Sequence, residues 1–592
     1  VHAPAGEAFS SGTFLTRPLV AALVLVALVV IAYFPAFRAG FIWDDDDHFT
    51  HNSVVISDSG LVDIWTTSSA IYYPLVLTTW WFLRRLVGLN PFVYHALNIL
   101  LHAANALLLA AALRRWRIPG GWVAAALFAL HPVQVETVAW ATELKNLQSG
   151  LFFLLAIVFF GRFADVALGA GEGEVGMARD GARARRRAYG LSMCFFLAAL
   201  VSKPSVVMLP VVLFVLLAWR EGRLPWRRIG WIAPFLALSL LASGWTIWEQ
   251  KYHSNAQGPE WSETLMERMQ IAGRVVWFYL WKLVWPHPLV FIYPRWRVEA
   301  GNLVGYVPLL GCVALTAAAW WKRRGWGWPV LLVWLAYTAL LFPVLGFFNI
   351  YFTRFSYVGD HFQYLATLAA FTGAGAAAAA LHSRVSPGAA RGLLGIGIGV
   401  LVLLAALSWR QSRIYHDEES LWRDTLARNP AAWIAHNNLG LVLAERGDFR
   451  EARGHYEAAI ALKPDYEEAF NNLGIVLAKE GDYAGAVEQY KKAIQFRPEF
   501  AIAYDNLGGV LAELGRLDQA ESAFRMAARL NPGDAVTRCN HGEILGRLGR
   551  FEEAIEQFEA AVRLNPSDAR MREARERARE RVRERARRQA GP

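Results

Sequence analysis

The chain has 592 residues, 55% of them hydrophobic, with 25 Trp and 34 Phe and only 19% charged. Its length allows more than one domain, and its charged fraction lies below the roughly 25% usual for soluble domains. The net charge of +10 does not point to nucleic acid, because much of it sits in short links between apolar runs, where Arg and Lys set topology. Cys194, Cys312 and Cys539 are far apart without ligand spacing, so neither a disulfide framework nor a metal site is predicted.

In chain order, Arg17 precedes an apolar run with no good cleavage site, which predicts a retained signal anchor. A hydrocarbon core of about 30 Å needs roughly 20 helical residues. On that measure about eleven spans are predicted, at 18–37, 92–113, 121–140, 147–163, 187–201, 205–219, 229–248, 306–320, 326–348, 364–381 and 393–409. The run 188–219 holds Ser202-Lys203-Pro204 at its middle. A single straight span would bury Lys203 at the bilayer centre, which is costly, so two short helices are expected to meet there. The basic links 114–117, 162–187, 220–228, 321–324 and 384–391 then all fall on one side, the cytoplasmic one. The N-terminus is placed inside and everything after Trp409 outside. Residues 271–285, bounded by Pro286 and Pro288, are expected to form an interfacial or re-entrant helix on the outer side.

Several polar groups interrupt these runs. Asp44, Asp45, Asp46 and Asp47 follow the first span directly, and repulsion among adjacent carboxylates raises proton affinity in a way that suits a general base. The alternative is a polar helix-end loop that satisfies dipoles. His95, Asn98, His102 and Asn105 share one helix face, which is expected to face the bundle or a cavity, through interhelical hydrogen bonds or through catalysis. His131, Glu136, Glu143, Lys145 and Asn146 come near the outer end of the third span. Arg354, Asp360, His361, Gln363 and Tyr364 lead into the tenth. One topology brings all of them to the outer face, with Lys203. A cavity is expected there in which Lys203 and Arg354 hold a phosphate while an acid takes a hydroxyl proton.

Beyond Trp409 the pattern changes. Pro430, Pro464, Pro498, Pro532 and Pro566 recur every 34 residues, as do Gly440, Gly474, Gly508 and Gly542. Small residues (Ala452, Ala486, Ala520, Ala554) and rings (Tyr456, Tyr490, Phe524, Phe558) follow in phase. This is the tetratricopeptide signature, in which the ring is expected to pack against the next repeat and the proline to end the second helix. The expected domains are a membrane bundle at 1–410, a connector and incomplete repeat at 411–432 with Trp422 at the aromatic position, four repeats at 433–568, and an Arg/Glu-rich capping helix or tail at 569–592. The fold class is all-α. Such arrays usually bind peptides or proteins on their concave face. Asn438, Asn472, Asn506 and Asn540 are candidates to clamp a peptide backbone, or equally to act as helix caps or inter-repeat links.

With these residues in place, the chain resembles the transmembrane-and-tetratricopeptide-repeat O-mannosyltransferases and their bacterial relatives, within the GT-C glycosyltransferase class. The matching stretches are 41–52, Tyr73-Pro74-Leu75, Asn90-Pro91 with the His95 to Asn105 stripe, His131-Pro132 with Glu136, Glu143-x-Lys145-Asn146, Ser202-Lys203 and Asp360-His361-Phe362-Gln363-Tyr364-Leu365. The resemblance implies that Asp44 or Asp45 is the catalytic carboxylate. It also implies a polyprenyl-phosphate mannose donor, contacted by Lys203, Arg354, His361, Tyr364, Lys145, Glu136 and His131, and a Ser or Thr acceptor on a polypeptide. The chain departs from the family in having four acids rather than two, and Tyr73 where relatives often carry an arginine before the proline. Its Ala, Gly and Arg content points to a bacterial inner membrane, with the outer face in the periplasm. Two other readings stand beside this one: an envelope glycan or lipid transferase whose repeats dock a partner, and a non-catalytic membrane-anchored scaffold.

Overall fold

The computed structural model describes residues 18–66, 73–169, 178–254 and 256–589. Arg17, the basic residue of the signal-anchor reading, lies outside them, as do part of the 162–187 link and the end of the tail. Among the described residues every regular element is helical, and the chain divides into two compact units, Val1–Asp424 and Thr425–Pro592. The division falls inside the 411–432 connector.

In the first unit all of the expected spans lie on helices. Eight are long and apolar enough to cross a membrane: Pro91–Arg115, Ala141–Leu168, Pro204–Glu221, Trp226–Tyr252, Leu303–Trp321, Gly327–Val344, Asp360–His382 and Pro387–Tyr415. A ninth, Gly121–Leu130 with Pro132–Ala139, is bent by 58°. The other two expected spans lie on Pro18–Ala32 and Ala178–Leu200, apolar helices that each begin at the edge of the described residues, the second with a run of arginines near its start. The chain is a membrane protein. The expected interfacial segment is the helix Leu265–Val284, started by a Thr264–Glu267 capping box. Its charged residues keep it from qualifying as a span, and Trp281 and Trp285 at its end are exposed.

The bend and the breaks release backbone carbonyls at membrane depth, where water is unavailable to satisfy them. The stripe on Pro91–Arg115 takes them up. His95 donates to Gly40 O (3.1 Å), Asn98 to Trp140 O (3.0 Å), His102 to Ala129 O (3.1 Å) and Asn105 to Leu147 O (2.9 Å). Ser408 takes Leu130 O (2.8 Å). These side chains are buried interhelical links rather than the lining of a cavity. The alternative that gave them hydrogen-bonding work describes them, because irregular backbone in a bundle needs partners from a neighbouring helix. Tyr364 belongs to the same network, donating to His102 Nδ1 (3.1 Å) and accepting from Asn105 (3.0 Å).

In the second unit four helix pairs run from Trp433–Arg446 to Phe551–Leu564, closed by Ala569–Gln589. Each second helix stops two residues before its proline. The rings pack within their own repeat, and Phe558 also clusters with Met571 and Ala574 of the closing helix. A Cβ added to Gly440, Gly474, Gly508 or Gly542 would stand 2.7–2.8 Å from the ring of Tyr456, Tyr490, Phe524 or Phe558 in the same repeat. The glycine is there to let the ring of its own partner helix in. Gly474→Ala is therefore expected to lower stability by about 1–3 kcal/mol through overpacking, read as a lower thermal midpoint of the repeat unit. An unchanged midpoint would mean that the Tyr490 ring can move aside.

Candidate active site

The Pro91–Arg115, Leu144–Gly169 and Leu209–Glu221 helices each have one end among buried polar groups and the other at a basic cluster. In that cluster Asp165 pairs with Arg115 (2.5 Å) and Arg220 (2.6 Å), so three of the basic links meet at one end. The polar end collects the loop after the first helix, the break at Trp140–Lys145, the turn at Lys203 and the turn before Tyr364.

The two leading aspartates have different surroundings. Asp45 is fully buried, and its Oδ1 accepts from Thr142 N (2.8 Å) and Thr142 Oγ1 (2.5 Å). Its Oδ2 accepts from Ile42 N (2.9 Å). Burial pushes its pKa up to about 7 in spite of those three donors. Asp44 is half-buried, and its carboxylate takes no hydrogen bond among the described residues. Burial pushes it up to about 6, with Lys145 pulling the other way. Repulsion from Asp47 and Glu143 adds less than burial does, so crowding of acids is the lesser cause. Asp46 and Asp47 are exposed.

Asp44 is held in place from behind. Trp43 adopts φ +46°, a left-handed backbone that costs a non-glycine residue about 1–3 kcal/mol. Its N–H donates to Glu418 Oε1 (2.7 Å), and its ring stacks on Trp140 (5.6 Å) and meets Trp422 (5.7 Å) edge-on. Trp422 thus serves the membrane unit, packed also on Phe291 at 5.6 Å, as well as standing at a repeat-like position. In front, His48 Nδ1 donates to Asp44 O (2.7 Å), and its Nε2 accepts from Tyr73 OH (3.0 Å). Burial pushes His48 down to about 3, which keeps it neutral and fits that pair of bonds.

Next to Asp44 lies a buried carboxylate between two cations. Glu143, with no exposed surface, pairs with Lys145 (3.1 Å) and Lys203 (3.6 Å). Lys145 also stands over the rings of Trp140 (5.5 Å) and Tyr73 (5.8 Å). Asn146 bonds Glu143 and donates to His361 O (2.9 Å), while His361 Nδ1 donates to Glu136 (2.5 Å). Two lysines against one buried glutamate leave a positive charge over, next to a carboxyl whose proton affinity is raised. That arrangement can hold an anion and accept a proton beside it.

The structure thus brings together Asp44, Asp45, Lys145, Lys203, Glu136 and His361. It leaves three of the expected donor contacts elsewhere. Arg354 pairs with Glu260 (3.0 Å). His131 caps Val133 N and donates to Leu283 O (3.1 Å), fixing the bend at Pro132. Tyr364 is spent in the stripe. Glu143 as the hub, Tyr73, Thr142, Glu418 and Trp422 were not singled out as site residues. Nothing in their local sequence marks the last two, which lie more than 370 residues from Trp43. Two of the repeat asparagines link neighbouring repeats, Asn472 donating to Asn437 (3.1 Å) and Asn506 to Asn471 (2.9 Å). Asn438 accepts from Asn437 (3.1 Å) within its own repeat. Among the described residues no three His, Cys, Asp or Glu side chains group as metal ligands.

Tetratricopeptide-repeat family models match residues 418–467, 439–499 and 499–567. A protein O-mannosyl-transferase of Caenorhabditis elegans is 24% identical over 480 residues, 75% of this chain and 63% of that protein. The protein O-mannosyl-transferase TMTC2 of Homo sapiens is 30% identical over 155 residues, 24% of this chain and 18% of its own length. Among solved structures, the repeat protein YrrB aligns at 24% identity over 27% of this chain and 81% of its own, with a TM-score of 0.24. The chain thus spans about 63% of the length of its Caenorhabditis elegans relative. The chain, a membrane bundle followed by a tetratricopeptide-repeat unit, is thus similar in sequence to protein O-mannosyl-transferases.

Proposed function

We propose that the chain is a glycosyltransferase that moves a sugar, mannose in the first instance, from a polyprenyl-phosphate donor to Ser or Thr of a polypeptide outside the cytoplasm. The observation that carries this reading is Glu143 held between Lys145 and Lys203 beside the unbonded carboxylate of Asp44. The names of its relatives point the same way. The lysines hold the donor phosphate. The acceptor hydroxyl oxygen bonds to the anomeric carbon as the bond from that carbon to the phosphate oxygen breaks. The phosphate leaves with the electron pair as lipid phosphate, and Asp44 takes the hydroxyl proton. Asp45 positions this loop through Thr142 and Ile42. The repeats raise the local concentration of the acceptor.

Two tests address this directly. Labelled polyprenyl-phosphate mannose is offered with membrane proteins to the whole chain and to a truncation after Arg428, which keeps Glu418 and Trp422 on Trp43. The truncation is expected to retain slow hydrolysis of the donor and to lose transfer to native polypeptides. Equal glycosylation by both would remove the recruitment role and favour partner docking. For topology, cysteines placed at Ser254 and in the repeats are expected to react with impermeant reagents from outside, and one at Gly181 is not. Labelling of the repeats only after membrane disruption would reverse the orientation and take the extracytoplasmic site with it.

A further inference from the structure

A cavity of about 620 Å³ lies inside the bundle, lined by Leu109, Trp116, Phe153, Trp219, Leu332 and Ala376 among others. No residue of the polar centre lines it. About half of its lining residues are buried, while Pro119, Pro329, Val330, Ala377 and Ala380 are exposed, so the cavity is partly open at its rim. Four of its few polar side chains already have partners. Trp116 Nε1 donates to Ile157 O, Trp334 Nε1 to Thr316 Oγ1, Tyr337 OH to Val276 O and Thr372 Oγ1 to Leu368 O. Water would find no partners there, and hydrocarbon is the chemistry that fits. Two of the lining residues, Trp116 and Trp219, adjoin Arg115 and Arg220 in the chain. Those arginines share Asp165 and leave one positive charge over, and Arg220 Nη1 is buried without a hydrogen-bond partner among the described residues.

We infer that this cavity seats the acyl chain of an anionic phospholipid, whose phosphate rests on Arg220 and Arg115 at the basic end of the bundle. Anionic lipid is the occupant that matches the unbalanced arginine, and the cytoplasmic leaflet supplies it. The donor's prenyl chain is disfavoured because, on the proposed reading, its phosphate belongs at Lys145 and Lys203, at the polar end of the helices rather than at the arginines. In preferring one lipid to the other the inference rests on that reading, whereas its Arg220→Gln arm does not.

The test uses the whole chain reconstituted in nanodiscs of equal phosphatidylglycerol and phosphatidylcholine, then released into detergent and weighed by native mass spectrometry. The wild type is expected to keep one phosphatidylglycerol. Ala376→Trp, which fills the cavity, is expected to lose it, and Leu394→Trp, on an exposed helix face, is expected to keep it. Arg220→Gln is expected to lower the preference for phosphatidylglycerol about fivefold. Should Ala376→Trp also lower the thermal midpoint, the Arg220→Gln result stands alone as the test. Retention by Ala376→Trp equal to wild type, an unchanged head-group preference in Arg220→Gln, or a prenyl phosphate as the retained species would each overturn the inference.

Discussion

Replacing Asp44 with Asn is expected to lower sugar transfer by a factor of about 10² to 10⁴, the usual contribution of a positioned general base, while donor binding stays as in the wild type. The change removes no hydrogen bond among the described residues, because the Asp44 carboxylate makes none there. It removes only the group that takes the proton. With its pKa raised to about 6, Asp44 is a carboxylate at neutral pH and a carboxylic acid below that. Wild-type transfer is therefore expected to fall as the pH drops through about 6, and the residual activity of Asp44→Asn is expected to lack that limb.

The same shift sets a stability expectation of definite sign. A folded-state pKa above the ordinary aspartate value of 3.8 means that the fold prefers the protonated form. That preference is fully present below about 3.8 and is lost as the pH rises through about 6. Asp44→Asn should accordingly raise the thermal midpoint at pH 8 and leave it nearly unchanged near pH 4. Asp45→Asn is expected to behave differently. An amide nitrogen would face either the Ile42 N–H or the two Thr142 donors, leaving a buried donor unsatisfied at about 1–3 kcal/mol. A full loss of folding by Asp44→Asn together with a silent Asp45→Asn would reverse the two assignments.

Glu143→Gln is the second large effect, with an expected loss of about 3–5 kcal/mol of stability, because it strands two lysines in a buried site. Glu143 has no exposed surface, and Lys145 and Lys203 are only 11% and 16% exposed. Removing the partner as well should cost less than the sum. The double variant Glu143→Gln with Lys145→Met is expected to melt above Glu143→Gln alone, the coupling of residues in one ion-pair network. The thermal midpoints of the two singles and the double settle this. Additive losses would mean that the three side chains do not act as a unit.

The apolar runs and the glycine and proline periods made the helices and the repeats legible in the sequence, since burial and helix breaking are local in their demands. Lys203 was legible for the same reason: a lysine inside an apolar run has to lie at a break. Asp44, Lys145, Glu136 and His361 could be placed at one end because a single topology turns every one of those connections the same way. What sequence did not resolve was the division of labour between identical neighbours. Asp44 and Asp45 part company because Thr142 and Ile42 N bond only Asp45, which is also the more deeply buried. Arg354 pairs with Glu260, and Trp422, inside a stretch that matches the repeat model, also packs on Trp43. The polar stripe stood open between interhelical hydrogen bonds and a cavity because the carbonyls it serves belong to other elements. In each case the determining partner is distant in the chain and leaves no local pattern.

The central claim is that the Asp44 centre builds a sugar–hydroxyl bond from a lipid-phosphate donor. Its most direct test is the purified whole chain in vesicles with labelled polyprenyl-phosphate mannose and a polypeptide acceptor, followed by alkaline β-elimination of the product. The account predicts labelled mannose released from Ser or Thr by the wild type and about 10² to 10⁴ less from Asp44→Asn. Label that stays in the lipid fraction with the wild type, or equal release by the two proteins, would contradict it.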